Sequence, residues 1–374
     1  MKRLIILLLV LLAACTPIKE KIFAANEADG SISVIDATTL KEIDIISLET
    51  EHDGALLKYM PHNVQVAGDK VLVTANVEHK EEMSHDEEMS HDSHNMDEMQ
   101  HEMKASVPKI SFGILAVEAH GEEETSDEHP DQLVIIDARS HKILNRIDLE
   151  EEAHLAHVVS YGQYAYVTAT DTEVLYKVNL ETGRYSPIIL PKGSMPHGIR
   201  LTDDGKTAII AAMGNAMLIM NLDNKNITSI KLPGKGVQAG IAGNIAMVSV
   251  FDTKQLALYD LSTKKLSFVD LPDAKGPIQM YPTPDGKYVY VADQGVYFDQ
   301  PPGTSTYKID LAEGKVAAII ETGNAPHGVV VSPDGRVWVT NLNGNTVSVI
   351  KDDKRIAEIE VGKAPNGISY WSAQ

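Results

Sequence analysis

Four histidines in this 374-residue chain each follow the same kind of short step and precede an apolar run. The four steps are Met60-Pro61-His62, Leu155-Ala156-His157, Met195-Pro196-His197 and Ala325-Pro326-His327. Neutral imidazole is the commonest side-chain ligand of transition metals, and histidines from separate parts of a fold can supply three nitrogens to one ion. The repeated step predicts one recurring structural position and makes these histidines candidate metal ligands.

A second concentration of metal-binding residue types lies in the segment 77–131. Residues 79–103 alone hold five histidines and five methionines. Imidazole suits zinc and copper, thioether selects copper(I) or silver(I), and carboxylates add negative potential. We expect this segment to capture metal, with a solvated disordered spacer as the alternative that its low complexity leaves open. The candidate ligands are His79, His85, His91, His94, His101, Met83, Met89, Met96, Met99, Met103, His120 and His129.

Most of the chain's formal charge of −20 comes from the same region. Residues 78–131 include 17 acidic and 3 basic residues, a net charge of −14. Phosphate binding requires clustered lysine and arginine, so this charge balance argues against nucleic acid as a partner of the folded body.

The N-terminus has the pattern of an export signal. Lys2 and Arg3 precede an apolar run over residues 4–12 that is too short to span a bilayer. Small residues then lead into Cys15, the one cysteine of the chain, in a pattern that resembles the lipobox of bacterial lipoproteins. This resemblance implies a signal peptide over residues 1–14, a lipid anchor on Cys15 and a tether over residues 15–20. The protein is therefore expected outside the cytoplasm, anchored to a membrane in the periplasm or at the cell surface.

Short β-branched runs separated by Gly, Asn and Asp turns recur about every 40 residues, a period typical of propeller blades. The clearest copy has an A strand at 326–331, a B strand at 337–341, a C strand at 345–350 and a D strand at 356–359. The Ser332-Pro333-Asp334-Gly335 turn joins its A and B strands.

Seven B strands can be counted in the chain. They are predicted at 21–26, 71–76, 165–170, 208–213, 246–251, 288–293 and 337–341. The first has no A strand before it, whereas the chain ends in an A-like run at 365–370. The sequence therefore predicts an all-β, seven-bladed β-propeller of four-stranded blades over residues 21–374. The C-terminal strand would pair into the first blade and close the ring, which removes exposed sheet edges.

The run Val337-Trp338-Val339-Thr340-Asn341, together with the preceding Asp-Gly turn, resembles the YVTN family of seven-bladed propellers. The resemblance implies the fold over nearly all of the chain after the leader. It implies little about function, because that family includes binding proteins, cell-surface proteins and enzymes.

Blade counting places the four histidines on one ring. Counting back from the Asp-Gly turns gives one equivalent position per blade, occupied from blade one to blade seven by Asn366, His62, His157, His197, Lys235, Ile278 and His327. Three histidines on consecutive blades predict a metal site, with His327 as a secondary member; hydrogen bonding to the next blade is the structural alternative. The segment 77–131 separates the B and C strands of blade two and should emerge on the same face.

A secreted propeller with inner-strand histidines and a histidine-rich acidic loop is similar to the periplasmic zinc metallochaperones that serve zinc ABC importers. That resemblance implies zinc as cargo and an importer's binding protein as partner, although the methionines fit copper equally well. Two other classes stay open: a propeller enzyme of the lactonase or oxidoreductase kind, and a surface interaction module. No phosphate loop, nucleophile elbow or HExxH motif supports catalysis.

Overall fold

A computed structural model describes residues 19–52, 55–77, 129–150 and 152–373. The predicted leader, Cys15 and every candidate ligand from His79 to His120 lie outside these residues. In the described ranges, no helix is long and apolar enough to cross a membrane.

The described residues form thirty strands and one short 3-10 helix at Tyr297–Asp299. Blade one begins with β1 (Glu20–Asn26), β2 (Ser31–Asp36) and β3 (Lys41–Ser47), and the hairpin β4 (Thr50–His52) and β5 (Ala55–Leu57) follows it. Blade two is β6 (Tyr59–Ala67), β7 (Lys70–Val77), β8 (Gln132–Asp137) and β9 (Ile143–Asp148). Blade three is β10 (Leu155–Tyr161), β11 (Tyr164–Ala169), β12 (Val174–Asn179) and β13 (Tyr185–Ile189). Blade four is β14 (Pro196–Leu201), β15 (Thr207–Ala212), β16 (Ala216–Asn221) and β17 (Ile227–Lys231).

The remaining blades follow the same order. Blade five is β18 (Gly236–Ala242), β19 (Ile245–Val250), β20 (Gln255–Asp260) and β21 (Leu266–Asp270). Blade six is β22 (Pro277–Pro282), β23 (Tyr288–Asp293), β24 (Ser305–Asp310) and β25 (Lys315–Glu321). Blade seven is β26 (Pro326–Val331), β27 (Val337–Asn341), β28 (Thr346–Lys351) and β29 (Lys354–Glu360), and the last strand is β30 (Pro365–Ser372).

Seven four-stranded antiparallel sheets confirm the predicted propeller. The last strand, β30, pairs with β1, so that Trp371 lies opposite Lys21 and Ser369 opposite Phe23. The C-terminal strand therefore completes blade one, as predicted. The seven A strands also contact one another in a closed ring, from β6 through β10, β14, β18, β22 and β26 to β30 and back to β6.

The turns explain why the blades repeat so regularly. At six C-to-D turns the last residue of strand C is Asp or Asn, and its side-chain oxygen accepts the backbone N–H groups two and three residues later, an Asx turn. These residues are Asp36, Asp137, Asn179, Asn221, Asp260 and Asp310.

Burial decreases from the centre of each blade to its rim. In blade seven all of β26 and β27 is buried, whereas β29 has five exposed residues out of seven. Neighbouring blades cover both faces of the inner strands, which is why these strands are continuous apolar runs.

A β-bulge interrupts every A strand within its first four residues, and it leaves the ring residues without a ladder partner. The A-to-B pairing skips from Pro61 to Asn63 in blade two, and from Leu155 to Val158 in blade three. The other five blades show the same shift. A bulge leaves a residue unpaired and redirects its side chain, and bulges are over-represented beside active sites.

A hydroxyl group of strand B repairs the interrupted ladder in four blades. Thr168 Oγ1 accepts the N–H of His157 at 3.0 Å and donates to the carbonyl of His197 in the next blade at 2.5 Å. The equivalent hydroxyls of Thr74, Ser249 and Thr340 make the same pair of bonds. One side chain thus fixes the bulge of its own blade to the inner strand of its neighbour.

We predict that Trp371→Ala lowers the free energy of unfolding by about 3–5 kcal/mol, because it leaves a large cavity where the ring closes. Trp371 is 2% exposed, packs in the core between blades one and two, and its Nε1 donates to Asp69 Oδ1 at 3.2 Å. Urea denaturation measures the loss, with Ile356→Ala on the outer strand of blade seven, 52% exposed, as the control. Equal effects of the two substitutions would contradict a stabilising role for the closure.

Candidate metal site at the inner ring

Three histidines from consecutive blades meet inside the ring of A strands. One ring nitrogen from each of His62, His157 and His197 lies within 4.8 Å of the other two. The ring centroids are 5.8 Å apart for His62 and His157, 5.5 Å for His62 and His197, and 4.9 Å for His157 and His197. None of the three residues is more than 3% exposed. The structure therefore brings together the three histidines that the blade order places on neighbouring blades.

Each of these rings has one nitrogen atom without a hydrogen-bond partner. The Nε2 atom of each is buried and, within the described residues, has no hydrogen-bond partner. Nδ1 of His197 lies 3.0 Å from the carbonyl oxygen of Val237, and Nδ1 of His62 lies 3.2 Å from Oε1 of Glu27. Because these oxygens only accept, Nδ1 of each ring acts as the donor in its bond, and Nε2 is the nitrogen left for a metal ion. Metal-binding histidines are commonly oriented in this way.

Burial keeps two of these imidazoles neutral. It lowers the pKa of both His157 and His197 well below the usual value, and the neighbouring histidines lower it further. His157 Nδ1 also lies 3.5 Å from Nε2 of the fully buried Gln238. A neutral imidazole is the form that binds a metal, so at pH 7 no proton has to leave these two rings first.

Glu27, directly after β1, supplies a negative charge beside the three histidines. Its carboxylate accepts hydrogen bonds from His62 Nδ1 at 3.2 Å and from Asn366 Nδ2 at 2.8 Å. Burial alone would raise the pKa of Glu27, but the bonds from His62 and Asn366 lower it to about 2. The charge fixes the His62 ring and favours a cation on its far side. Nothing in the sequence pattern distinguishes Glu27, because an acidic residue after a strand is ordinary turn chemistry.

His327 occupies the ring position of blade seven but lies outside the cluster of three. Its ring centroid lies 5.5 Å from that of Tyr297, and its Nδ1 lies 3.4 Å from Gln279 Nε2. Burial lowers the pKa of His327 to about 3. The other predicted ligand in the described ranges, His129, is not part of the cluster.

The structure corrects two members of the predicted ring. At the first residue of the bulge, blades one to seven place Asn366, His62, Ala156, His197, Val237, Ile278 and His327, all buried. His157 is the second bulge residue of blade three, in register with Gln238 and Gly328, whose N–H groups donate to the equivalent hydroxyls. Lys235 lies two residues before Val237, and its ammonium is paired with Asp252 at 3.0 Å. The alignment was wrong there because blade five joins β18 and β19 by a tight turn without the Asp-Gly pair that served as the counting mark.

The aspartates at B-strand ends hold backbone groups. Asp252 accepts the N–H of Lys235 at 2.7 Å, and Asp293 accepts those of Lys275 and Gly276 at 2.7 and 2.6 Å.

Asp131 marks where the chain returns from the histidine-rich segment. Its carboxylate accepts the N–H groups of Val77 at 2.9 Å and of His154 at 3.0 Å. The segment therefore leaves and re-enters the fold at the end of the ring that holds the three histidines.

Comparison with known sequences gives a match over part of the chain. No protein-family model matches the chain. Antigen Lp49 of Leptospira interrogans is 32% identical over 169 residues, which are 40% of this chain and 36% of that protein, so the match spans about a third of the relative.

Solved structures match over most of the chain at low identity. Virginiamycin B lyase from Staphylococcus aureus is 14% identical, with a TM-score of 0.60 over 83% of this chain and 91% of the lyase. Apo AztD from Citrobacter koseri is 14% identical, with a TM-score of 0.53 over 95% of this chain and 98% of AztD. Fold and site together define a seven-bladed β-propeller with a buried histidine cluster at one end of its inner ring.

We predict that the metal-free protein loses stability in mild acid and that His327→Asn reduces this loss. The folded pKa of His327 is about 3, below the usual 6.5, so the unfolded chain binds the extra proton. Stability from this residue is complete above pH 6.5 and decreases as the pH falls from 6.5 towards 3. Between pH 7 and pH 5 the contribution of His327 to the free energy of unfolding falls by about 2 kcal/mol. Urea denaturation with a chelator present measures it, and an unchanged pH dependence in the variant would contradict the burial argument.

Proposed function

We propose that this protein binds a transition-metal ion as cargo between His62, His157 and His197, and that it buffers the ion or passes it on. The observation that carries the proposal is that one ring nitrogen from each histidine lies within 4.8 Å of the other two, while each Nε2 is buried with no hydrogen-bond partner among the described residues. A buried polar atom without a partner costs about 1–3 kcal/mol, so three together are retained at a cost that a bound ion would offset.

The donor set fits a divalent ion of the zinc type. Zinc–nitrogen bonds of about 2.0–2.1 Å in tetrahedral geometry place the nitrogens about 3.3 Å apart. The ring nitrogens here lie within 4.8 Å of one another, so metal binding would draw the three rings closer. The carboxylate of Glu27 on His62 and the carbonyl of Val237 on His197 already hold two of the rings in the tautomer that binding requires.

Imidazole donors favour zinc over copper(I) for this cluster, because copper(I) prefers sulfur ligands. The methionines that suit copper(I) belong to residues 83–103, which lie outside the described ranges. Apo AztD shares the propeller fold with this chain. The sequence resemblance to periplasmic zinc metallochaperones supports zinc as the cargo of this protein. With a lipid anchor on Cys15, the protein would act outside the cytoplasm and deliver metal to the binding protein of an importer.

The geometry supports metal binding better than catalysis. Virginiamycin B lyase shows that an enzyme can have this fold. A general base, however, needs one oriented imidazole with access to a substrate, whereas here three imidazoles converge and each is at most 3% exposed.

We predict that the triple variant His62→Asn, His157→Asn, His197→Asn loses its tight zinc site, with affinity reduced on the order of 100-fold or more because all three nitrogens are removed. Competition with a chromophoric zinc chelator measures the affinity, and a parallel titration with copper(I) decides between the two metals. The matched control is His141→Asn, which removes a histidine paired with Asp44 in a C-to-D turn away from the cluster. Unchanged zinc affinity in the triple variant would overturn the proposal.

Deletion of residues 79–104 should slow zinc uptake while leaving equilibrium affinity at the three histidines nearly unchanged. The reason is that the segment would concentrate metal weakly near the ring without contributing to the buried site. Stopped-flow measurement of uptake at low ionic strength tests this, with a loop of the same length and charge but without histidine and methionine as the control. If that control loads as fast as the natural chain, the segment acts through charge alone.

A further inference from the structure

A fourth histidine, His154, stands at the outer side of the cluster. Its ring centroid lies 5.6 Å from that of His62, a separation similar to the 5.5 Å between His62 and His197. Unlike the three buried histidines, His154 is partly exposed. It therefore lies between His62 and the surface, at the end of the ring where Asp131 returns from the histidine-rich segment.

The backbone at His154 is held in an unusual conformation. Its φ is 49°, in the left-handed region that residues other than glycine seldom adopt. Its N–H donates to Asp131 Oδ2 at 3.0 Å, and its carbonyl accepts the N–H of Thr170 at 3.0 Å. Two backbone hydrogen bonds therefore fix the direction in which this side chain leaves the main chain.

The residue just before the A strand has the same backbone conformation in other blades, so the side chain at this position in blade three can be compared with theirs. Met195, Ala325 and Ala364 also precede their A strands with φ between 48° and 55°, and each carbonyl accepts an N–H from the end of a B strand. Alanine in two of these blades shows that the conformation does not require a large side chain. Among these four blades, a histidine occupies this position only in blade three, which also carries His157.

We propose that His154 is the outer metal ligand, through which the ion enters and leaves the site formed by His62, His157 and His197. This inference rests on the proposed function. Three protein nitrogens leave one position of a tetrahedral zinc ion open. An ion held by three buried imidazoles can exchange only by stepwise replacement of ligands, and His154 is the described histidine placed to make that replacement. Its contact with His62 assigns the exchange to that side of the cluster, where the charge of Glu27 also lies.

The test uses the full chain, with His154→Asn compared with His327→Asn. Asparagine tolerates the left-handed conformation, so the first variant keeps the backbone conformation of residue 154. Neither histidine belongs to the cluster of three, but His154 packs against His62, whereas the control residue is a buried histidine of the inner ring that packs against Tyr297. Zinc removal by excess chelator is followed by stopped flow, and cobalt(II) absorption reports the number of coordinating nitrogens.

We expect His154→Asn to slow both zinc loading and zinc removal about tenfold, the usual size of effect when one supporting group of a metal site is lost. The cobalt spectrum should change in this variant and stay unchanged in His327→Asn. Rates and spectrum equal to those of the natural chain would overturn the assignment. A slower exchange in Met195→Ala, with none in His154→Asn, would also overturn it and move the role to blade four.

The two proposals fail in distinguishable ways. A natural chain that binds no zinc more tightly than the triple variant overturns both of them. A natural chain that binds zinc tightly, with exchange rates unaffected by His154→Asn, overturns only the role of His154.

Discussion

The bond that Thr168 makes between two blades is the constraint on which the site depends. Its hydroxyl accepts from the backbone of His157 and donates to the backbone of His197, so it fixes two members of the cluster relative to each other. It can do so because the bulge has removed the ordinary ladder partner of His157. The resulting hydrogen bonds replace those that the bulge gives up, and the side chains are free to point into the ring.

The three clustered histidines lower the stability of the folded chain when no metal is bound. Burial of three imidazoles with unpartnered Nε2 atoms is unfavourable, and the depressed pKa values of His157 and His197 report how poorly the site would accept a proton. Natural sequences break the rule of polar satisfaction mainly where function requires it. The apolar cores between the surrounding blades stabilise the fold and offset the unfavourable burial of these histidines.

The fold could be predicted from the sequence because propeller blades repeat locally. The turn residues and apolar runs of one blade determine its four strands, and strand order then places His62, His157 and His197 on neighbouring blades. Lys235 was misplaced because its blade lacks the turn used for counting. Glu27 and His154 were beyond such reasoning, since their contacts with His62 cross from one blade to another and depend on the curvature of the closed ring.

The closure of blade one has a consequence for the order in which the chain matures. Glu27 comes from the beginning of the chain and Asn366 from its last strand, and they bond to each other at 2.8 Å while Glu27 holds His62. The three histidines are synthesised long before Asn366, but the environment that orients His62 exists only after the last strand has paired with the first. A truncated or unclosed chain therefore lacks the bond between Asn366 and Glu27, and the carboxylate that orients His62 loses one of its two donors.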